Sequence, residues 1–174
     1  MKTGIITTIL FSLLLAFSGC SKEKAESASA DATSFEQLSY GSDVCEFSHE
    51  VIETVRYGGR IEMTNGDKFN FMSVECLAGF YLNLEDTANV KSIKAVEFIN
   101  GKRLLDVDQL VFLHSKLRPS PNGMYLTAVD ASDKKMKTFI YDAYPGPYLE
   151  WDEVLELVRN EWDLTEYAAS NLNF

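Results

Sequence analysis

The alternation of apolar and polar positions divides the chain into an apolar leader, a polar stretch and a folded region. Residues 4–17 are almost continuously apolar and follow a basic start at Lys2. Residues 21–34 are rich in Ser, Ala, Glu and Lys and show no apolar period. From residue 35 onward, apolar residues recur at strand and helix spacings, so this part is predicted to fold as one domain or two small, closely packed modules.

The first half of the folded region has the pattern of two strands, a helix and a third strand. Asn65-Gly66 is a strong hairpin signal, because both central positions of such a turn favour positive φ. Gly58 and Gly59 interrupt the first strand and indicate a bulge. The strands are predicted at residues 56–63, 67–72 and 90–98 and the helix at residues 74–84, with Cys76 in its first turn.

The second half repeats part of this pattern. Residues 124–129 and 136–141 predict a hairpin about residues 131–134, and an apolar stripe over residues 150–162 predicts a helix. The fold class is therefore predicted as α+β, with two small ββαβ-type modules packed together. The predicted domain covers residues 35–174, and its modules lie at about 40–107 and 108–174.

The leader has the composition of a bacterial export signal. Its apolar run is too short for an ordinary transmembrane helix, and it ends in Ser18-Gly19-Cys20, where two small residues before a cysteine resemble a lipobox. A lipoprotein signal peptide is predicted at residues 1–19, with lipid on Cys20 and a flexible tether at residues 20–34. A plain signal peptide and an uncut membrane anchor are the alternatives.

Lipid on Cys20 predicts a protein anchored on the periplasmic side of the bacterial cell envelope. No Asp follows Cys20, which favours the outer membrane over the inner one. The membrane is then the first expected partner of the chain.

The net charge of −10 argues against nucleic acid as a partner, because phosphate binding needs clustered Lys and Arg. The chain contains no Gly-x-Ser-x-Gly, no His-Glu-x-x-His and no phosphate-binding loop. A nucleophilic pair of Cys45 and His49 is conceivable, but no residue in the sequence is placed to orient the histidine. We therefore predict that the protein is not an enzyme.

Residues 45–76 hold the richest set of metal-binding side chains. They include two of the three cysteines, Cys45 and Cys76, and one of the two histidines, His49. The predicted hairpin brings the ends of this stretch together, so the two thiols could bind a soft metal ion. They could equally form a disulfide in an oxidising compartment, where closing a loop of about thirty residues contributes roughly 3–4 kcal/mol.

The order of these motifs resembles the NosL family of lipoprotein copper chaperones, which accompany nitrous oxide reductase. Its members open with a cysteine, two residues and a second cysteine, followed after one residue by a methionine. A hairpin, a Cys-Met helix, a His-Ser pair and a Thr-Pro-Met-Gly turn come next. The matching segments here are residues 45–51, 71–77, 114–115 and 120–123. The resemblance implies a NosL-like fold and a role in binding or delivering copper.

The chain departs from the family pattern at three positions. Ser48 stands in place of the second cysteine, Glu50 in place of the first methionine, and Asn122 in place of the methionine that follows proline. Cys45 and Cys76 remain in their places. The alternative to a copper chaperone is a binding or scaffold lipoprotein whose metal site is degenerate and whose two cysteines form a disulfide.

The resemblance implies Cu(I) as the bound ion, since thiolate and thioether ligands suit this soft cation. Cys45 and Cys76 would bind it together with His49 or Met124, and a copper-receiving protein would be the second partner. His114 is interpreted as structural, and Met63 and Met72 as core residues that pack on predicted strands.

Overall fold

The computed structural model describes residues 37–54 and 56–164. The predicted leader, the tether and Cys20 lie outside these residues. The described part contains the elements β1 (Gly59–Met63), β2 (Lys68–Phe71), α1 (Val74–Leu82), β3 (Val90–Val96), β4 (Leu104–Asp106), β5 (Leu110–His114), β6 (Leu126–Asp130), α2 (Lys134–Ala143), β7 (Tyr148–Leu149) and α3 (Trp151–Glu161). None of its helices has the length and apolar character needed to cross a membrane.

The first sheet is antiparallel and has the strand order β2-β1-β3-β4. In the turn between β1 and β2, the Met63 N–H donates to Asp67 O at 2.8 Å and the Gly66 N–H donates to Met63 O at 3.0 Å. Gly66 has φ +95°, whereas Asn65 does not have a positive φ. The hairpin prediction is therefore confirmed, but the turn is a type I turn closed by a left-handed glycine.

The two glycines at the start of β1 serve close packing rather than a bulge. A Cβ at Gly58 would lie 2.5 Å from Leu38 Cδ1, and a Cβ at Gly59 would lie 2.7 Å from Lys94 O. The bulge in this strand lies at its other end, between Glu62 and Met63, where the pairing of β1 with β3 shifts register. The predicted position of the bulge was wrong.

The second sheet has the order β6-β5-β7, also antiparallel. Its central strand β5 is buried on both faces, which explains its unbroken apolar run. Leu110 and Phe112 point into the larger hydrophobic core, whereas Val111 and Leu113 point into a smaller one. Successive side chains of a strand face opposite sides of the sheet, so β5 separates these two cores.

The predicted strand at residues 136–141 is wrong, because this segment lies in the helix α2. Asp133 caps the helix by accepting a hydrogen bond from the Met136 N–H at 3.0 Å. Ile140 is the buried residue of this helix and anchors it. The strand β6 pairs instead with β5, at residues that were not predicted as a strand.

Both sheets share one arrangement of strands, which confirms the α+β class. In each sheet the first strand lies between the second and the third, in the orders β2-β1-β3 and β6-β5-β7. In each case a helix, α1 or α2, connects the second strand to the third. The described residues all belong to one compact unit. The division into modules near residue 107 stays a prediction.

Candidate functional site

A short loop carries Cys45 into the core. The loop is closed by a single antiparallel bridge between Val44 and Val51. Within it, the Cys45 N–H donates to Glu50 O and the His49 N–H donates to Cys45 O, both at 2.8 Å. His49 has φ 60°, a left-handed conformation that a non-glycine residue adopts at a cost in free energy. The surrounding hydrogen bonds therefore hold the loop in one shape.

Asn70 of β2 anchors this loop through both its backbone and its side chain. Its carbonyl oxygen accepts the Glu46 N–H at 2.9 Å. Its side-chain amide donates to Asp43 Oδ2 at 2.9 Å and accepts the Arg60 Nε–H at 2.7 Å. The segment before Cys45 is thus fixed to the first sheet, where the buried Arg60 orients the amide.

An aromatic stack covers the other side of the loop. Phe47 stacks on Trp162, just after α3, with ring centroids 5.1 Å apart and an angle of 9° between the planes. Both rings lie against Gly79 of α1, where a Cβ would be 2.7 Å from Trp162 Cζ3 and 2.9 Å from Phe47 Cζ. The absence of a side chain at residue 79 is what allows the loop to approach α1.

Cys76 lies in the first turn of α1, as predicted. Ser73 caps the helix, and its hydroxyl accepts a hydrogen bond from the Cys76 N–H at 3.1 Å. The helix therefore begins just before the cysteine, which is fully buried.

The structure brings the two cysteines together as free thiols, not as a disulfide. Both are fully buried and share a hydrogen bond. The bond from Cys76, assisted by hydrogen bonds from Ser48 and from the Met72 N–H, lowers the pKa of Cys45 to about 5. The same bond to Cys45, together with burial, raises the pKa of Cys76. Between these two ionisations the pair holds one proton, which lies on Cys76.

Ser48 connects Cys45 to a third sulfur atom. The Ser48 N–H donates to Cys45 Sγ at 3.5 Å, and the Ser48 hydroxyl donates to Met72 Sδ at 3.2 Å. The Ser48 hydroxyl is also within hydrogen-bonding reach of Cys45, and its one proton can be donated to only one of the two sulfurs at a time. Met72 packs against the main core, as predicted, and its thioether also contacts the Ser48 hydroxyl, which lies beside Cys45. The sequence did not indicate this second contact of the Met72 side chain.

Asn122 lies beside the other thiol. Its Oδ1 accepts from Cys76 Sγ at 3.2 Å and from the Ser73 hydroxyl at 2.6 Å. A thiol has one proton, so Cys76 can serve only one of its two acceptors at a time. The Cys45 thiolate is the stronger of these acceptors because it is charged.

The loop that carries Asn122 is held by the buried Glu75. The hydroxyl of Ser120 donates to Glu75 Oε1 and accepts the Tyr125 N–H at 2.8 Å. Glu75 is fully buried, and its Oε2 has no hydrogen-bond partner. Tyr125 has φ 61°, so the loops carrying Cys45 and Asn122 each contain a non-glycine residue in the left-handed region.

The other two candidate ligands lie in different surroundings. His49 is exposed, whereas both thiols are buried. Met124 is buried in the same core as the cysteines and lines a cavity of about 320 Å³ beside His114. Within residues 37–54 and 56–164, no three His, Cys, Asp or Glu side chains converge where they could hold a metal ion. The roles of His49 and Met124 stay predictions.

The comparisons with known proteins identify the fold. No protein-family profile and no curated protein matches the sequence. Among solved structures, the copper chaperone NosL from Shewanella denitrificans matches with a TM-score of 0.57 and 19% sequence identity, over 68% of this chain and 93% of that one. The chain has a NosL-like fold. This confirms the resemblance seen in the order of the sequence motifs, at the level of the fold.

The structure shows where two of the residues that depart from the NosL sequence pattern lie. Ser48 is hydrogen-bonded to Cys45, and Asn122 is hydrogen-bonded to Cys76. Two of the three positions at which the sequence resemblance predicts a soft ligand are thus in direct contact with the thiols. A hydroxyl and an amide oxygen stand there, and both stabilise the thiols by hydrogen bonds.

Proposed function

We propose that this chain binds copper as Cu(I) between Cys45 and Cys76 and delivers it to a copper-receiving protein. The observation that carries the proposal is the pair of buried, hydrogen-bonded free thiols within a NosL-like fold. Cu(I) is a soft cation that favours thiolate ligands, and few ligands allow it to pass on by exchange. The proposed role is non-enzymatic.

Binding would replace the proton of the pair. Near neutral pH the pair holds one proton, because the hydrogen bond between the thiols lowers the pKa of Cys45 to about 5 and raises the pKa of Cys76. A cation between the two sulfurs takes over the stabilisation of the negative charge, and the Cys76 proton leaves to solvent. The N–H groups of Ser48 and Met72 remain as donors to Cys45.

The decisive experiment is an anaerobic Cu(I) titration of the reduced protein against a competing chromophoric chelator. We expect one tightly bound ion per chain, and we expect Cys45→Ser and Cys76→Ser each to abolish this binding. Cys20→Ser is the control, because it makes the same Cys-to-Ser change at the sulfur that carries the proposed lipid, and it should leave Cu(I) binding unchanged. If both buried-thiol variants bind Cu(I) as the unmodified chain does, this site is wrong.

The rival function is a scaffold or binding lipoprotein that has lost the metal. It is favoured by the hydrogen bond that Cys45 accepts from the Ser48 N–H and by the one that Cys76 donates to Asn122 Oδ1, which stabilise the thiols without any ion. In that case Cys45 and Cys76 would be oxidised to a disulfide in the periplasm. Protein taken directly from cells, trapped in acid and labelled under denaturing conditions distinguishes the two, since two labelled thiols exclude the disulfide.

The location of the protein forms a further part of the proposal. We propose export by the leader, lipid attachment at Cys20 and a site of action on the periplasmic side of the outer membrane. The support is the sequence, with a basic start, an apolar run and two small residues before Cys20. Radiolabelled fatty acid should enter the chain but not Cys20→Ser, and labelling of that variant would contradict the anchor.

A further inference from the structure

Met72 brings a third sulfur atom into the surroundings of Cys45. Its Sδ is 3.2 Å from the Ser48 hydroxyl, and that same side chain hydrogen-bonds Cys45. Its backbone N–H also donates to Cys45. The residue follows β2 directly and precedes Ser73, the cap of α1, so strand and helix fix its backbone on both sides. The thioether is therefore held close to the thiol pair.

Met72 and Ser48 also form part of the more open side of the site. Cys45 and Cys76 have no exposed surface, whereas both Met72 and Ser48 are partly exposed. Solvent therefore reaches the site at Met72 and Ser48 and not at either thiol.

Charge favours a thioether as the additional ligand. Cu(I) bound to two thiolates carries a net charge of −1, and a third thiolate would increase this to −2 at a buried position. Burying such charge without a partner is costly. A neutral thioether adds a soft donor without adding charge.

We infer that Met72 is the third ligand of the Cu(I) site, and that it is the ligand through which the ion enters and leaves. This inference rests on the proposed function. On binding, the Ser48 hydroxyl turns away from Met72 Sδ, the thioether lone pair forms the bond to copper, and the Cys76 proton goes to solvent. The ion leaves by the reverse exchange, in which a ligand of the receiving protein first replaces Met72.

The exposed His49 and the buried Met124 are the competing third ligands. His49 lies on the solvent side of the loop, whereas Met124 lies in the core and beside a separate cavity. The described hydrogen bonds connect the Met72 thioether to the thiol pair through Ser48, and no such bond is described for the other two side chains. Met72 therefore has the geometric advantage.

The test compares three methionine-to-leucine variants of the full reduced chain. Leucine conserves volume, so each variant is expected to fold. Met72→Leu should weaken Cu(I) binding by about 10- to 100-fold in chelator competition, and its X-ray absorption spectrum should show two sulfur ligands instead of three. Met63→Leu is the matched control at another partly buried methionine, the last residue of β1, and Met124→Leu tests the rival thioether. Both should bind as the unmodified chain does.

A second measurement does not depend on affinity. With ¹³C-labelled methionine methyl groups, the resonance that disappears in Met72→Leu should be the one that shifts when Cu(I) is added. The inference is overturned if Met72→Leu keeps three sulfur ligands and full affinity, or if another methionine shifts instead. If Cys45→Ser and Cys76→Ser weaken binding but Met72→Leu does not, only the third ligand is wrong. If none of the cysteine and methionine variants changes Cu(I) affinity, the proposed function is wrong as well.

Discussion

Substituting Gly79 by alanine has two opposite effects on stability, a gain in helix propensity and a steric clash, and their sizes can be compared. Gly→Ala in a helix normally stabilises a protein by about 1 kcal/mol through helix propensity. Here the new Cβ would lie 2.7 Å from Trp162 Cζ3 and 2.9 Å from Phe47 Cζ. These are rigid rings in a stack, so they move together or not at all.

The steric clash should outweigh the gain in helix propensity, so Gly79→Ala should destabilise the fold. Overpacking a core typically costs about 1–3 kcal/mol, and two rings at such short distances place Gly79→Ala in the upper part of that range. After subtracting the propensity gain, we expect the free energy of unfolding to fall by about 1–2 kcal/mol. The Phe47 loop should also shift, so the Cys45 thiol should react faster with an alkylating reagent.

The assay is urea unfolding of the reduced protein, followed by tryptophan fluorescence, together with the rate of thiol labelling in native buffer. Gly79→Ala in a Phe47→Ala background is the matched control, because removing one of the two rings should reduce the penalty measurably. If Gly79→Ala alone raises the free energy of unfolding by about 1 kcal/mol, propensity dominates and the steric reasoning is wrong.

Three further predictions follow from the site. Cu(I) affinity should rise about tenfold per pH unit between about pH 6 and pH 8, because Cys45 is already ionised above its pKa of about 5 while Cys76 still has one proton to release. Competition titrations measure the slope of the logarithm of the Cu(I) association constant against pH, and a slope of about zero or about two would contradict this prediction. Ser120→Ala should lower the free energy of unfolding by about 1–3 kcal/mol, because the buried Glu75 carboxylate loses its donor; urea unfolding with a change below about 0.5 kcal/mol would contradict this. Asn122→Met should raise Cu(I) affinity by roughly tenfold or more, because it places a thioether beside Cys76; chelator competition with an unchanged constant would contradict it.

The periodicity of the sequence was enough to locate the elements whose apolar residues face one core. The hairpin of β1 and β2 and the helices α1 and α3 were predicted at nearly their observed positions. The strand β5 was not predicted as a strand, because it is buried on both faces and its unbroken apolar run has no period. The helix α2 was predicted as a strand, since its residues 138–141 are Thr, Phe, Ile and Tyr, which all favour strands, and the tertiary structure overrides this preference.

The site was predictable in its residue types but not in its connections. Sequence alone indicated that Cys45 and Cys76 would meet, because a hairpin lies between them. It did not indicate that Met72 would also lie at the thiols, because this residue packs on the core as well. The direction of a thioether at a strand end depends on the neighbouring loop, and that loop is fixed by contacts with residues distant in sequence, such as Trp162.

The repeated strand order has a consequence for the kinetics of folding. Each sheet is built from neighbouring segments of the chain, so each can form through short-range contacts at an early stage. The thiol pair draws Cys45 and Cys76 from the first sheet region, whereas Asn122 comes from the loop before β6 and Trp162 from the end of α3. The thiols, Asn122 and Trp162 come together only when the two sheets and their helices have packed against each other. The rate at which the two thiols become protected from a fast alkylating pulse during refolding would therefore report the rate of the last folding step, independently of secondary structure.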